Sequence, residues 1–208
     1  MKITEAILLC GGKGTRLRPL TENIPKALVE YKGKPLLLRQ IEWLTGNGIK
    51  KIILSTGYMS EKIEEYSRTL AGAEMIISKE YGSIGTAGGL KLAMKKSESR
   101  RVLVANVDCL NDISVREAEK LQGNVICVSR ARLPFGSVLV EDGIVKEFRE
   151  KPVLDNIWVN AGIYILEKDL QLPEEGSLEY DVFPNILLHA YCHEGYWKTI
   201  DSLRDMEE

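Results

Sequence analysis

The residues best equipped for chemistry crowd the start of the chain: Gly11, Gly12, Gly14, Thr15 and Arg16, with Pro25 and Lys26 close behind. The apolar run from Ala6 to Leu9 leads straight into them. Three glycines within four residues let a backbone turn with positive φ and bring its N–H groups against an anion with no side chain in the way. Arg16 and Lys26 add the positive charge that a polyphosphate needs. The segment reads as a strand emptying into a phosphate cradle.

Spacing narrows the kind of cradle. A Walker loop needs Gly-Lys-Ser/Thr after four variable residues, but Lys13 is followed by Gly14; a dinucleotide fingerprint beginning at Gly12 needs a third glycine where Leu17 stands. Neither fits. An ordinary strand-to-loop turn would explain the glycines, but not the hydroxyl and the cations beside them. Arg16 stands out because its planar guanidinium can bridge two phosphate groups and keeps its charge in any setting.

Asp108 is the second candidate. It follows Arg101 to Val107, an apolar run without alternation, as in a parallel strand buried on both faces. A carboxylate at the carboxyl end of such a strand is well placed for Mg²⁺, which takes few carboxylates and completes its shell with substrate phosphates. The plainer role is a cap on the next turn. His189, Cys192 and His193 lie near one another, but the ligands zinc requires are too few around them for a metal site.

These residues need a scaffold, and the sequence alternates short β-branched runs with amphipathic stretches. Ala6 to Leu9 precedes Pro35 to Leu44, where Leu36, Leu37, Ile41 and Leu44 have helical spacing; Lys51 to Ser55 precedes Ser60 to Leu70. The rhythm continues through Glu74 to Ile77, Thr86 to Lys95, Val102 to Val107, Ile113 to Leu121 and Val125 to Val128. It predicts a parallel sheet covered on both faces, with ligands at the carboxyl ends of the strands. After Arg130 the pattern turns antiparallel: Ser137 to Val140 and Ile144 to Phe148 flank the hairpin signal Asp142-Gly143, and Trp158 to Leu166 is a further strand. A helix is expected from Leu178 to His189, its Val182, Phe183, Ile186 and Leu187 packing this half on the sheet.

Length and charge bound the rest. A chain of 208 residues fills one core comfortably, and one domain over 1–208 is expected. With 28 basic against 30 acidic residues, no global field recruits nucleic acid or an anionic membrane. Four scattered cysteines, three of them in or beside apolar runs, suit free buried thiols in a reducing cytosol. No apolar segment is long enough to span a bilayer and no signal-peptide layout precedes the first strand, so a cytoplasmic protein is expected.

The stretch Gly11-Gly12-Lys13-Gly14-Thr15-Arg16-Leu17-Arg18-Pro19-Leu20-Thr21, followed by Pro25-Lys26, resembles the signature of the sugar-1-phosphate nucleotidyltransferases. Gly85-Thr86-Ala87-Gly88, Asp108, Glu150-Lys151-Pro152, Asn160-Ala161-Gly162 and Trp197 to Asp201 continue the resemblance in the family's order. The resemblance implies a Rossmann-like α/β three-layer sandwich with a mixed, mostly parallel sheet and a small antiparallel addition that carries the sugar-phosphate site. It implies Mg²⁺-dependent transfer of a nucleotidyl group from an NTP to a sugar 1-phosphate, with pyrophosphate released. Homo-oligomerisation is left open.

The resemblance also implies roles. Arg16, Lys26 and Asp108 would be catalytic, with Lys26 reaching the reacting phosphates. Leu9, Gly11, Gly12, Gly14, Thr15, Glu80, Gly85 and Thr86 would bind the nucleotide, Glu80 facing the base, and the first N–H groups of the helix opened by Gly85 would be free for an anion or a base edge. Gly88, Glu150, Lys151, Asn160, Gly162 and Glu179 would hold the sugar phosphate, with Lys151 extended before Pro152. Two departures matter: Val107 replaces the family's glycine before Asp108, and Thr199 occupies the position of its second metal ligand after the tryptophan. Asp201 is the next carboxylate, as in glucose-1-phosphate cytidylyltransferases, and is expected either to bind Mg²⁺ with Asp108 or to cap the helix that follows.

Ser177 to Pro184 resembles the mannose- or heptose-phosphate guanylyltransferases, whereas Trp197 to Asp205 resembles the cytidylyltransferases, so base and sugar stay open. The acyltransferase or other domain appended in some relatives is not expected. Two alternatives are a cytidylyltransferase acting on phosphocholine or a similar acceptor, and a non-catalytic nucleotide-sugar sensor on the same fold.

Overall fold

A computed structural model of the protein describes residues 2–207. The chain begins with β1 (Glu5–Leu9), the glycine loop, 3-10 turns at Thr15–Leu17 and Lys26–Leu28, and a small hairpin of β2 (Glu30–Tyr31) and β3 (Lys34–Pro35). Helix α1 (Leu36–Gly46), β4 (Lys51–Thr56), α2 (Ser60–Ser67), β5 (Glu74–Lys79), α3 (Gly85–Met94) and β6 (Arg101–Asn106) follow. Then come β7 (Cys109–Asn111), α4 (Val115–Ala118), β8 (Val125–Arg132), the hairpin β9 (Ser137–Glu141) and β10 (Ile144–Arg149), β11 (Val153–Glu167), β12 (His189–His193), β13 (Trp197–Thr199) and α5 (Leu203–Glu207).

Seven strands share one sheet in the order β12-β8-β11-β6-β1-β4-β5. The β6-β1-β4-β5 side is parallel, β11 runs antiparallel to both β6 and β8, and β12 is parallel to β8. Side chains alternate between two cores with the period of a strand. Ala6, Leu8, Ile52, Leu54, Leu103 and Ala105 enter one, and Ile7, Ile53, Val102 and Val104 enter the other. The first core is closed by Leu36, Leu37, Ile41 and Leu44 of α1, the second by Ala87, Leu90 and Ala93 of α3. Each such leucine or isoleucine contributes about 1.5–3 kcal/mol by leaving water. The three layers expected from the sequence are present.

Two expectations about the second half change. β11 is not appended to the sheet but inserted in it, between β6 and β8; of the expected antiparallel strands, β9 and β10 stand apart as a hairpin, turning at Asp142 and Gly143 with φ of 50° and 74°. The helix expected from Leu178 to His189 breaks into a π turn (Leu178–Val182) and a 3-10 turn (Phe183–Asn185), after which the chain extends into β12. Pro184 has no N–H to donate, and its ring obstructs a continuing α-helix. Leu178 and Val182 still reach the second core, while Leu187 is left 77% exposed. His189 and His193 therefore lie along a strand. All four cysteines are free, and three of them, Cys10, Cys109 and Cys127, are buried. Burial pushes the Cys127 thiol up to about 12.

The topology fixes where a ligand can sit. From β1 the chain moves outward to β4 and β5, then returns to β6 on the other side of β1. Strand order reverses between β1 and β6, and in open α/β sheets such a reversal leaves a crevice at the carboxyl ends. The glycine loop leaves β1 there, and Asp108 leaves β6 beside it.

Candidate active site

The glycine loop is folded by its own neighbours. Gly14 takes φ of 60°, and the buried Thr21 hydroxyl donates to its carbonyl at 2.7 Å. A Cβ at Gly14 would stand 3.0 Å from Thr21 and 3.1 Å from Lys26 Cβ, so the loop closes directly over the Lys26 segment. The cleft beneath has a volume of about 830 Å³. Its wall includes Leu9, Gly11, Gly12, Gly14, Thr15, Arg16, Lys26, Glu80, Gly85, Thr86, Asp108 and Asp201, so the residues expected at the nucleotide and at the reacting centre converge.

Lys26 is the hub. Only 8% exposed, its ammonium meets the Asp108 carboxylate and lies 2.8 Å from Asp201 Oδ1, while Arg16 Nη1 reaches Asp201 Oδ2 at 2.5 Å. Burial acts to lower the Lys26 pKa, but the two carboxylates outweigh it and hold the ammonium above its ordinary value. Asp201 arrives by strand pairing: β13 runs antiparallel to β7, Thr199 opposite Cys109, and Ile200 N–H donates to the Asp108 carbonyl at 2.9 Å. Among the described residues no α5 N–H donates to the Asp201 carboxylate; Asp205, in the first turn of α5, reaches back over the helix start instead, its Oδ2 accepting from Asp201 N–H at 3.0 Å and from Ser202 N–H at 2.7 Å.

The donor set is compatible with magnesium. Among the described residues no three or more His, Cys, Asp or Glu side chains gather into a metal cluster. Two carboxylates drawn to one point beside an open cleft nonetheless suit Mg²⁺, which takes its remaining oxygens from phosphates and water.

Glu80 rises from the floor of the cleft in a notch made by glycines. A Cβ at Gly11 would come within 2.5 Å of its Oε1, one at Gly89 within 2.8 Å of its Oε2, and one at Gly57 would collide with it. Burial raises its pKa. Among the described residues its carboxylate has no hydrogen-bond partner, and it lies open to the cleft.

The residues expected at the sugar phosphate are more dispersed, and Gly88, Glu150, Lys151, Asn160, Gly162 and Glu179 do not line this cleft. Asn160 and Gly162 lie closest to the charged centre: a Cβ at Gly162 would stand 2.6 Å from Cys109 Sγ and 2.8 Å from Asn106 Nδ2. Asn160 donates to the buried Tyr164 hydroxyl at 2.7 Å and accepts from Gly162 N–H at 2.8 Å. Glu179 accepts from Ser177 Oγ at 2.7 Å and from Thr86 Oγ1 at 3.2 Å, which ties it to the start of α3. Glu150 and Lys151 occupy the turn between β10 and β11.

Two local expectations fail here. Lys151 is not extended: its φ is 44°, because the chain reverses between β10 and β11 while the Pro152 carbonyl accepts from Leu133 N–H at 3.0 Å. Nor are all the first N–H groups of α3 free, since Ala87 N–H donates to the Gly176 carbonyl at 2.9 Å. Gly88 is required by packing, because a Cβ there would strike the Glu174 carbonyl.

Sequence reasoning passed over Thr21, Gly57 and Tyr164. Thr21 belongs to the quoted signature and could have been read as the loop's tether. Gly57 ends the apolar run of β4, the same strand-to-glycine pattern as at Gly11. Tyr164, inside an apolar strand, carried no signal beyond its phenol.

Comparisons with known proteins identify the family. Residues 5–192 match the family described as nucleotidyl transferase. The mannose-1-phosphate guanylyltransferase catalytic subunit beta of Drosophila melanogaster is 37% identical over 224 residues, covering 97% of this chain and 60% of that protein. The mannose-1-phosphate guanyltransferase of Eremothecium gossypii is 33% identical over 225 residues, covering 97% and 62%. The chain thus spans about three-fifths of the length of these relatives. The structure of HddC from Yersinia pseudotuberculosis complexed with GMP-PN superposes with a TM-score of 0.78 at 26% identity, covering 99% of this chain and 97% of that one. The chain belongs to the nucleotidyl transferase family, as its resemblance to the sugar-1-phosphate nucleotidyltransferases implied.

Proposed function

We propose that the protein transfers a guanylyl group from GTP to a hexose or heptose 1-phosphate, releasing pyrophosphate. The observation that carries this reading is the convergence of Arg16, Lys26, Asp108 and Asp201 at the crevice between β1 and β6. An oxygen of the sugar phosphate forms a bond to the α-phosphorus in line as the bond to the pyrophosphate oxygen breaks. The attacking oxygen is already anionic, so no general base is needed. What the reaction requires is two polyanions held together and their charge neutralised.

Arg16 is three-quarters exposed and placed to swing between Asp201 and a triphosphate. Lys26, held charged by the two aspartates, remains an ammonium beside the α-phosphate throughout the working pH range. The glycine loop directs backbone N–H groups at the β- and γ-phosphates without steric obstruction. Mg²⁺, when bound by Asp108 and Asp201, would neutralise charge on phosphate oxygens.

The base is read at Glu80. A carboxylate only accepts hydrogen bonds, and guanine presents N1–H and the 2-amino group side by side on one edge, two donors for two oxygens. Uracil and thymine offer one donor there, and cytosine one beside an acceptor. The relatives named as guanylyltransferases support the same choice.

The test is pyrophosphate release with each of four NTPs against mannose, heptose and glucose 1-phosphates. GTP is expected to exceed every other nucleotide with at least one mannose- or heptose-type acceptor. Preference for CTP with glucose 1-phosphate would overturn the guanylyl reading, and no release with any pair would favour the non-catalytic sensor.

A further inference from the structure

Ser55 follows the apolar run of β4 and stands level with Leu9 of β1 and Ser78 of β5. Side chains alternate along the strand, so Ser55 takes the same face as Ile53, which packs with Ala87 and Leu90 of α3. Packing alone would favour an apolar side chain there. The position instead holds a hydroxyl on a residue only 3% exposed, and among the described residues that hydroxyl has no hydrogen-bond partner.

Its neighbours are differently placed. The buried Thr56 and Ser60 hydroxyls bond to each other at 2.8 Å. The Ser78 hydroxyl also lacks a partner among the described residues, but it is closed off from solvent. Ser55 lines the cleft, as do Glu80 and Gly89. A Cβ at Gly89 would stand 2.8 Å from Glu80 Oε2 and 3.2 Å from Ser55 Oγ, whereas Glu80 Oε1 lies toward Gly11 and Gly57. The absent side chain of Gly89 thus leaves the carboxylate and the hydroxyl flanking one point, with Ser55 on the Oε2 side.

We infer that the Ser55 hydroxyl determines base specificity together with Glu80, by donating a hydrogen bond to O6 of guanine. The inference rests on the guanylyl reading and adds a third contact on the same edge of the base. Along that edge guanine presents its 2-amino group, N1–H and O6, which are donor, donor and acceptor. Two carboxylate oxygens answer the donors but repel O6, so a donor is needed beside them. A serine hydroxyl can supply it. Its place on the Oε2 side sets N1–H on Oε2, the 2-amino group on Oε1 toward Gly11, and O6 toward Gly89. Hypoxanthine matches Ser55 but lacks the 2-amino group, and adenine, with an acceptor at N1, is refused by Glu80.

The test is calorimetric binding of GTP and 6-thio-GTP, without a sugar phosphate, to wild type and Ser55→Ala. Sulfur at position 6 keeps N1–H and the 2-amino group but accepts hydrogen bonds weakly, so the pair isolates the Ser55 contact. Wild type is expected to bind GTP about three- to tenfold more tightly than 6-thio-GTP, the span of one hydrogen bond. Ser55→Ala should lose that factor with GTP and bind both nucleotides alike. The wild-type comparison needs no variant, so it stands if Ser55→Ala misfolds. Equal affinity of wild type for the two nucleotides would overturn the inference, as would a preference for GTP that survives in Ser55→Ala. CTP binding more tightly than GTP would overturn the guanylyl reading and this inference with it. GTP preferred over CTP, with affinity lost in Glu80→Gln but not in Ser55→Ala, would keep that reading and overturn the inference alone.

Discussion

The Asp201 carboxylate lies 2.8 Å from the Lys26 ammonium although 175 positions separate the two residues. That contact gathers the ends of β1, β6 and β13 into one charged centre, because Lys26 also holds Asp108. It leaves the N–H groups at the start of α5 to Asp205.

Asp201→Asn therefore separates two roles cleanly. Turnover is expected to fall on the order of 100-fold, with a higher Mg²⁺ requirement, since the amide supplies no charge to a cation. The melting temperature should fall only by what the lost ion pairs to Lys26 and Arg16 contribute, with the start of α5 intact. Activity and Mg²⁺ dependence near wild type would leave Asp108 and substrate phosphates as the only metal ligands.

Arg16→Ala removes a loop side chain that contributes nothing to either core. The expected loss is ~100-fold or more in turnover, as for one contact to developing charge, with unchanged thermal unfolding. Wild-type turnover with an unaltered KM for GTP would remove Arg16 from the reacting centre.

Lys151→Ala is expected to raise KM for the sugar phosphate more than KM for the NTP, because Lys151 stands on the β10-β11 turn, away from the nucleotide cleft. Equal damage to both constants would show that Lys151 acts on the shared centre instead.

Glu80→Gln couples specificity to stability. Burial raises the Glu80 pKa, so in the empty protein its ionised form costs stability at any pH above its unfolded value. The amide should therefore melt higher at pH 7 and bind GTP less well, since one acceptor becomes a donor facing guanine. A lower melting temperature at pH 7 would mean that the carboxylate has a stabilising partner after all.

Glu5 runs the opposite way. Burial pushes its pKa up, but hydrogen bonds from Ser97 Oγ at 2.6 Å and Glu98 N–H at 3.0 Å prevail and lower it. Its stabilisation is present above the unfolded pKa and is lost as pH falls through the lower folded value. Glu5→Gln should cost about 1–2 kcal/mol at pH 7 and progressively less below pH 4, measured by urea unfolding at each pH. A pH-independent difference would show that shape, not charge, matters there.

The local features were legible because each is written within a few residues. Short continuous apolar runs marked β1, β4 and β6, helical spacing marked α1, and three glycines beside Thr15 and Arg16 marked an anion site wherever the rest of the chain went. The strand-end position of Asp108 followed from the same pattern. Tertiary structure decided the remainder. Nothing near Trp158 to Leu166 says that β11 must insert between β6 and β8, since the alternation of a strand does not name its neighbours. Nothing near Trp197 says that Thr199 will oppose Cys109, and that pairing alone brings Asp201 to Lys26. The φ of Lys151 is set by where the chain must next go, whereas the break at Pro184 was written in the sequence and passed over. Periodicity along a chain is a local quantity, whereas a site built from strand ends depends on pairings between distant segments that only the folded sheet specifies.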